Sequence, residues 1–119
     1  MAWSKVFKVA FGALLVSMLV AAPYVNATIS CEQVTNWLTP CITYGLFGGT
    51  VPPGCCEGIK TLNAASNTTE DRRAQCNCVK EGAAKIPGLN YDRVNELPGK
   101  CGTTCPYKLS YDLDCSKVN

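Results

Sequence analysis

Two closely spaced pairs of cysteines in the middle of the chain limit what it can fold into. Cys55 and Cys56 are adjacent, and Cys76 and Cys78 flank Asn77 twenty residues further on. On a helix, adjacent side chains point about 100° apart and those two residues apart point about 200° apart. Adjacent cysteines seldom bridge each other, because a disulfide needs Cα atoms about 5.5 Å apart and a specific torsion. Each pair is therefore expected to tie one helix to two distant segments.

Residues 1–27 have the pattern of a secretory signal. Lys5 and Lys8 supply a positively charged start, residues 9–22 are apolar, and the segment Val25-Asn26-Ala27 has small residues suited to cleavage. The apolar run is shorter than the roughly 20 residues that a membrane-spanning helix needs, so an uncleaved anchor is the less favoured alternative. We therefore expect a secreted protein whose single folded domain covers residues 28–119.

The cysteine and histidine content predicts disulfides rather than metal or catalytic chemistry. Nine cysteines in an exported chain favour a disulfide framework, with a metal site built from the two cysteine pairs as the alternative. The chain has no histidine, the commonest catalytic base and metal ligand, and it has no nucleophile motif. We predict no enzymatic activity, no metal and no cofactor.

Charge gives no reason to expect a nucleic-acid partner. Lys5 and Lys8 account for two of the eleven basic residues, which leaves nine basic against nine acidic side chains in residues 28–119. A neutral domain has no general attraction to phosphate backbones or to anionic membranes.

Glycine and proline residues divide the domain into four predicted helices and a tail. Apolar residues recur three and four positions apart within the segments, which is helical spacing. Ser30 with Gln33 and Thr68 with Asp71 have the pattern of helix N-caps. The predicted elements are a helix over about 31–46 kinked at Pro40, one from Pro52-Pro53 to about Ser66, one from Thr69 to Pro87-Gly88, a short one from Asn90 to Pro98-Gly99, and an extended tail over the last 19 residues.

The cysteine spacing resembles that of a known family. Without Cys105, the gaps between successive cysteines hold 9, 13, 0, 19, 1, 22 and 13 residues. This pattern resembles the eight-cysteine motif of plant non-specific lipid-transfer proteins, and the spacings are similar to those of type 1. The segment 68–72 (TTEDR) looks like that family's Thr/Ser-x-x-Asp-Arg motif, and the segment 106–110 (PYKLS) looks like its Pro-Tyr-x-Ile/Leu-Ser motif. Polar Asn77 also suits type 1.

The resemblance implies an all-α fold, in which four helices form a disulfide-stapled right-handed superhelix and a long C-terminal tail helps to enclose an apolar tunnel. Counting cysteines alone leaves 105 pairings open for eight cysteines. The pairing implied by the resemblance is Cys31–Cys78, Cys41–Cys55, Cys56–Cys101 and Cys76–Cys115. Under this pairing, each central cluster is tied to two different partners.

The resemblance also implies the function and the site. The expected ligands are fatty acids, lysolipids or phospholipids. The protein is expected to be a monomer in the cell wall or apoplast. It would move these lipids between membranes or to the wall through transient contact with a membrane surface. A defence role is compatible with this activity. Arg72 and Tyr107 are expected to contact the lipid head group, because a guanidinium and a phenol are suitable donors. The predicted tunnel wall consists of Val34, Leu38, Ile59, Leu62, Val79, Ile86 and Leu109.

Each of these site predictions has a plainer alternative. Arg72 can pair with Asp71 or Glu70 on a helix surface, Tyr107 can simply pack the tail, and the seven apolar residues can form an ordinary core. Lys60 and Arg73 are expected to be solvated, with a contact to the ligand at the mouth of the tunnel as the alternative. The runner-up function is an eight-cysteine inhibitor of a digestive hydrolase, which is disfavoured because the connections between helices are short.

The family pattern does not account for one of the cysteines, and a separate segment carries a candidate glycosylation site. Cys105 is a ninth cysteine, for which we expect a buried, inert role; the alternatives are a mixed disulfide, a dimer or scrambling of the framework. The segment Asn67-Thr68-Thr69 is a glycosylation sequon, and an unmodified helix cap is the alternative.

Overall fold

A computed structural model of the chain describes residues 29–119, and the predicted signal over 1–27 lies outside the described residues. The described part is all α-helical apart from turns and the tail. Its helices are α1 (Cys31–Leu38), α2 (Ile42–Phe47), α3 (Pro53–Ala65), α4 (Thr69–Ala84) and α5 (Tyr91–Lys100), with 3-10 turns at Thr39–Cys41 and Cys115–Lys117. Within residues 29–119, no helix combines the length and the hydropathy needed to cross a bilayer.

The predicted kink at Pro40 is where the first helix divides. Pro40 lies in the 3-10 turn between α1 and α2, so these two helices are the arms of the predicted first helix. Proline has no backbone N–H and its ring crowds the preceding turn, which breaks the regular hydrogen bonding. Counted in this way, the structure has the four predicted helices.

Side-chain caps fix the starts of three helices. At α1, the backbone N–H of Gln33 donates to Ser30 Oγ over 3.2 Å, and the Ser30 N–H donates to Gln33 Oε1 over 3.0 Å. This reciprocal arrangement is a capping box. Thr68 caps α4 and Asn90 caps α5, each accepting from the backbone N–H three residues later at 3.1 Å. The helices therefore begin at the caps that the sequence predicts.

The predicted end of the last helix was wrong. Pro98 and Gly99 were expected to close it, whereas α5 includes both and ends at Lys100. Proline removes one hydrogen bond, but the backbone N–H of Cys101 still donates to the Leu97 carbonyl over 2.9 Å. The disulfide from Cys101 to Cys56 also holds this last turn against α3.

Four disulfides join the elements. They are Cys31–Cys78, Cys41–Cys55, Cys56–Cys101 and Cys76–Cys115, with Cα separations between 4.7 and 5.7 Å. This is the pairing that the resemblance implies. Each central cluster is split between two partners, so that α3 is tied to the turn before α2 and to the end of α5, and α4 to α1 and the tail.

Within residues 29–119, the buried apolar residues form three separate clusters rather than one core. The first groups Tyr44, Ile59 and Leu97 around two disulfides, the second contains Ile29, Val34 and Leu62, and the third places Val118 against the Cys76–Cys115 bridge. A domain of this size normally has one contiguous core. The separation of the clusters leaves space between the helices.

Side chains on the helices hold the tail by its main chain. On α4, Arg72 Nε donates to the Asn119 oxygen over 2.6 Å, Arg73 Nε donates to the Val118 carbonyl over 2.7 Å, and Lys80 Nζ donates to the Leu113 carbonyl over 2.6 Å. Asn95 on α5 exchanges two hydrogen bonds with the backbone of Leu109. A segment without regular structure needs such partners for its carbonyls. Arg73 is exposed, as expected for a solvated residue, and its guanidinium also bonds to the tail.

The close approach of α1 to α3 depends on a glycine. A Cβ atom added at Gly58 on α3 would collide with the Trp37 carbonyl oxygen, whereas one added at Gly82 on α4 meets no atom within 4 Å. We predict that Gly58→Ala lowers the free energy of unfolding by about 1–3 kcal/mol through overpacking. Gly82→Ala, the matched control, should raise it by about 0.5–1 kcal/mol because alanine loses less backbone freedom. Denaturant unfolding of both variants checks this, and equal stabilities would contradict the packing described.

Candidate functional site

A cavity of about 450 Å³ lies among the helices and the tail. Residues from every helix, from the loop between α4 and α5, and from the tail line it. Buried residues of the first two clusters line this wall, and so does Tyr107, which packs against the third cluster. The volume falls within the range of about 300–1,000 Å³ that is usual for small-molecule sites.

The structure places all seven apolar residues that were predicted for the tunnel at this cavity. They are Val34, Leu38, Ile59, Leu62, Val79, Ile86 and Leu109. Val34, Leu62 and Leu109 are among the most buried apolar side chains of residues 29–119, although each also borders empty space. Helical spacing puts residues on an inner face but does not show whether that face meets side chains or a void.

Most of the polar side chains in the wall already have partners in the protein. Asn95 is paired with the Leu109 backbone, and Asn63 donates to the Thr103 hydroxyl and the Thr104 carbonyl. The Thr35 hydroxyl donates to the Cys31 carbonyl over 2.8 Å. The wall therefore presents mainly hydrocarbon to whatever enters, which suits an acyl chain better than a polar metabolite.

Tyr107 is a polar group that the sequence predicted and that the cavity wall includes. Its ring also packs against the cluster formed by Cys76, Cys115 and Val118, so the alternative of tail packing holds as well. Burial, and then the neighbouring Cys105, raise the pKa of its hydroxyl well above the usual range. The hydroxyl thus stays protonated at physiological pH, which keeps it a hydrogen-bond donor.

Arg72, the other predicted head-group residue, is not part of the cavity wall. Besides its bond to Asn119, its Nη1 donates to the Ser66 carbonyl and its Nη2 donates to the Thr69 hydroxyl, both over 3.4 Å. A guanidinium has five N–H donors, so two remain for another acceptor. Arg72 and Tyr107 approach the same end of the tail, near Val118 and Asn119. The role of Arg72 at a head group stays a prediction.

Sequence reasoning missed Lys85 and Gln75, which both line the cavity. Lys85 follows the last residue of α4, is exposed, and is the only charged side chain of the wall within residues 29–119. Gln75 is on the inner face of α4, only 2% exposed. The available signal for Gln75 was its position one turn before Val79 on α4, whereas Lys85 follows the end of the helix and no apolar spacing predicts it.

Cys105 is unpaired and half-buried in the cavity wall. Burial raises the pKa of its thiol, and hydrogen bonds from Tyr107 offset part of that rise. Because the thiolate is the reactive form, a raised pKa makes the sulfur less reactive than an exposed cysteine. This agrees with the expected inert role. Among residues 29–119, no group of cysteine and carboxylate side chains is arranged to hold a metal ion.

A family model, a curated relative and two solved structures that resemble this chain all belong to one family. The model of the protease inhibitor/seed storage/LTP family matches residues 31–115. A non-specific lipid-transfer protein of Spinacia oleracea is 49% identical over 119 residues, which covers 100% of both chains. The solved barley non-specific lipid transfer protein 1 in complex with a lysophosphatidylcholine is 35% identical, with a TM-score of 0.73 over 76% of this chain and 100% of that one. A lipid-transfer protein complexed with palmitate is also 35% identical, with a TM-score of 0.66 over the same shares.

The environment of Cys105 predicts slow thiol chemistry. In the native protein at pH 7, we expect a disulfide reagent to modify Cys105 at least about tenfold more slowly than in the denatured protein, because burial hinders access and the raised pKa lowers the thiolate fraction. The native rate should keep rising with pH above the range where a free cysteine levels off. If the thiol reacts at the same rate in both states, Cys105 does not lie in the cavity wall. If no thiol can be titrated, Cys105 is blocked as a mixed disulfide.

Proposed function

Because the chain belongs to the plant non-specific lipid-transfer protein family, we propose that it binds fatty acids, lysolipids or phospholipids with their acyl chains in the cavity, and moves them between membranes. The observation that carries the proposal is the apolar cavity bordered by all seven predicted wall residues. Relatives of the same fold have been solved with lysophosphatidylcholine and with palmitate. Members of this family are lipid carriers rather than enzymes, which agrees with the prediction of no enzymatic activity.

The driving force for such binding is burial of the acyl chain. Each methylene group transferred from water into an apolar wall contributes about 0.8 kcal/mol. The wall forms this interaction with any chain that fits, since its side chains are mostly aliphatic and its backbone polar groups are paired within the helices. Broad acceptance of chains follows, with selectivity left to a few polar side chains.

For the head group, we propose Tyr107 and Arg72. The protonated hydroxyl of Tyr107 is in the cavity wall, and Arg72 has two N–H donors left after its contacts with Ser66, Thr69 and Asn119. A carboxylate or phosphate oxygen near this end of the tail would accept from Arg72, and from Tyr107 when its single O–H turns from the Cys105 sulfur to the ligand. Lys85 provides a second cation, thirteen residues after Arg72, at the C-terminal end of α4.

We also propose that residues 1–27 are a secretory signal and that the domain over 28–119 acts as an extracellular monomer in the cell wall or apoplast. The four disulfides support this location, because such bonds persist in oxidising compartments. Transfer requires transient contact with a membrane surface, and Phe47 at the end of α2, 79% exposed, is an apolar side chain available for it. Neither charge nor fold suggests a nucleic-acid partner.

Filling the cavity should weaken lipid binding without unfolding the protein. Val79 lines the cavity and Ala84 is an exposed residue of the same helix, outside the wall. We expect Val79→Trp to weaken displacement of a fluorescent fatty acid by at least about tenfold and to slow transfer between vesicles, because the indole occupies space that the acyl chain needs. Ala84→Trp, the matched control, should leave both unchanged. A wild-type protein that binds no lipid but inhibits a digestive hydrolase would overturn the proposal.

The proposed head-group contact predicts a loss that depends on ligand charge. We expect Arg72→Gln to weaken binding of palmitate about two- to fivefold, the range of an exposed ion pair, and to leave binding of hexadecanol unchanged. Calorimetric titration of both ligands into each variant measures this.

Lys85→Gln is the comparison for that experiment and Lys60→Gln is the surface control, since Lys60 is exposed and lies outside the wall. A palmitate-specific loss in the Lys85 variant alone would place the head group at the C-terminal end of α4 and remove Arg72 from the site. Equal losses in all three variants would indicate only a general effect of net charge.

A further inference from the structure

Gln75 is a polar side chain in an otherwise apolar part of the cavity wall. It lies on α4, one turn before Val79, and it is 2% exposed. The other amides of the wall, Asn63 and Asn95, use their side chains to hold the tail. Gln75 is placed differently, since it points into the cavity from the middle of a helix and contacts no part of the tail by hydrogen bond.

The amide of Gln75 has no hydrogen-bond partner within residues 29–119. In the same part of the chain, every side-chain nitrogen or oxygen that is sealed from solvent does have a partner. The polar atoms of Gln75 are therefore not sealed by protein atoms but face the open space of the cavity that they line. One acceptor oxygen and two N–H donors are available there.

A plain hydrocarbon chain is a poor neighbour for this amide. Packing methylene groups against it removes any water that solvates it and gives no hydrogen bond in return, which is the unfavourable case for a buried polar group. A ligand that carries a hydroxyl or carbonyl oxygen at this depth satisfies the amide instead. Sites with a buried polar group discriminate strongly against analogues that lack the matching group.

We propose that the cavity selects acyl chains bearing a hydroxyl or oxo group, and that Gln75 hydrogen-bonds this oxygen function. This inference rests on the proposed lipid binding and assigns the residue of this chain that discriminates among the lipids that the cavity accepts. Gln75 acts here as a specificity-determining residue, whereas the aliphatic wall supplies most of the affinity.

The position of Gln75 along α4 determines which carbon of the acyl chain must carry the oxygen for each orientation of the ligand. Gln75 is three residues from Arg72, about 4.5 Å along the helix axis, and ten from Lys85, about 15 Å. With the carboxylate near Arg72, a hydroxyl close to the carboxyl group meets Gln75. With the carboxylate near Lys85, the hydroxyl that meets Gln75 is roughly a dozen carbons along the chain, because an extended chain rises by about 1.3 Å per carbon.

The test compares octadecanoic acid with its 2-hydroxy and 12-hydroxy derivatives in the wild type and in Gln75→Met, in which a side chain of similar size lacks hydrogen-bonding groups. We expect the wild type to bind one hydroxy acid about 2- to 12-fold more tightly, relative to the parent acid, than the variant does. The variant should bind the parent acid as well as the wild type or better. Thr35→Val is the matched control, because it removes a wall hydroxyl whose hydrogen bond to the Cys31 carbonyl is already made.

The outcomes separate this inference from the function that it rests on. A wild type that binds all three acids with the same relative affinities as Gln75→Met overturns the role of Gln75 and leaves lipid binding standing. A wild type that binds none of them overturns both. In the wild type, the side-chain NH₂ resonances of Gln75 should shift more with the preferred hydroxy acid than with the parent acid, and equal shifts contradict the proposal even where the variant fails to fold.

Discussion

The four disulfides are the interactions on which the rest of the structure depends, because they keep the helices apart around space that side chains do not fill. The space of about 450 Å³ that side chains leave between the helices removes packing contacts that would otherwise stabilise the fold. A disulfide that closes a loop of this kind contributes about 3–4 kcal/mol. Four of them offset the loss. Three small buried clusters, each next to at least one bridge, then suffice where an unbridged domain would need one continuous core.

The tail completes the cavity, and it is held differently from the helices. Cys105, Tyr107 and Leu109 contribute side chains to the wall, while Asn95 and three cations of α4 bond to main-chain oxygens of the tail. The helices thus form most of the cavity wall, and the tail closes one side of it. Arg72 therefore anchors the tail through its bond to Asn119, and its proposed contact with a ligand uses the N–H donors that remain.

The helix starts and the inner apolar faces were predictable from the sequence because capping and helical spacing are local. The disulfide pairing was not, since spacing alone leaves many pairings open, and the family resemblance had to supply it. The ends were harder, as Pro98 shows: a bridge at Cys101 holds the turn that proline weakens. Gln75 and Lys85 were missed because a sequence shows which residues share a face but not that a void lies against it. The bonds of Arg73 and Lys80 to the tail join residues more than thirty positions apart, which no local pattern reveals.

The mode of attachment of the tail has a consequence for how this protein can diverge. Arg72, Arg73 and Lys80 bond to main-chain oxygens, which are present whatever side chains the tail carries. Substitutions at Cys105, Tyr107 or Leu109 can therefore reshape one side of the cavity while the anchoring of the segment is kept. The main-chain atoms of the tail anchor it, whereas its side chains shape the cavity. A new lipid specificity can therefore arise through the tail alone, without a compensating change in the helices.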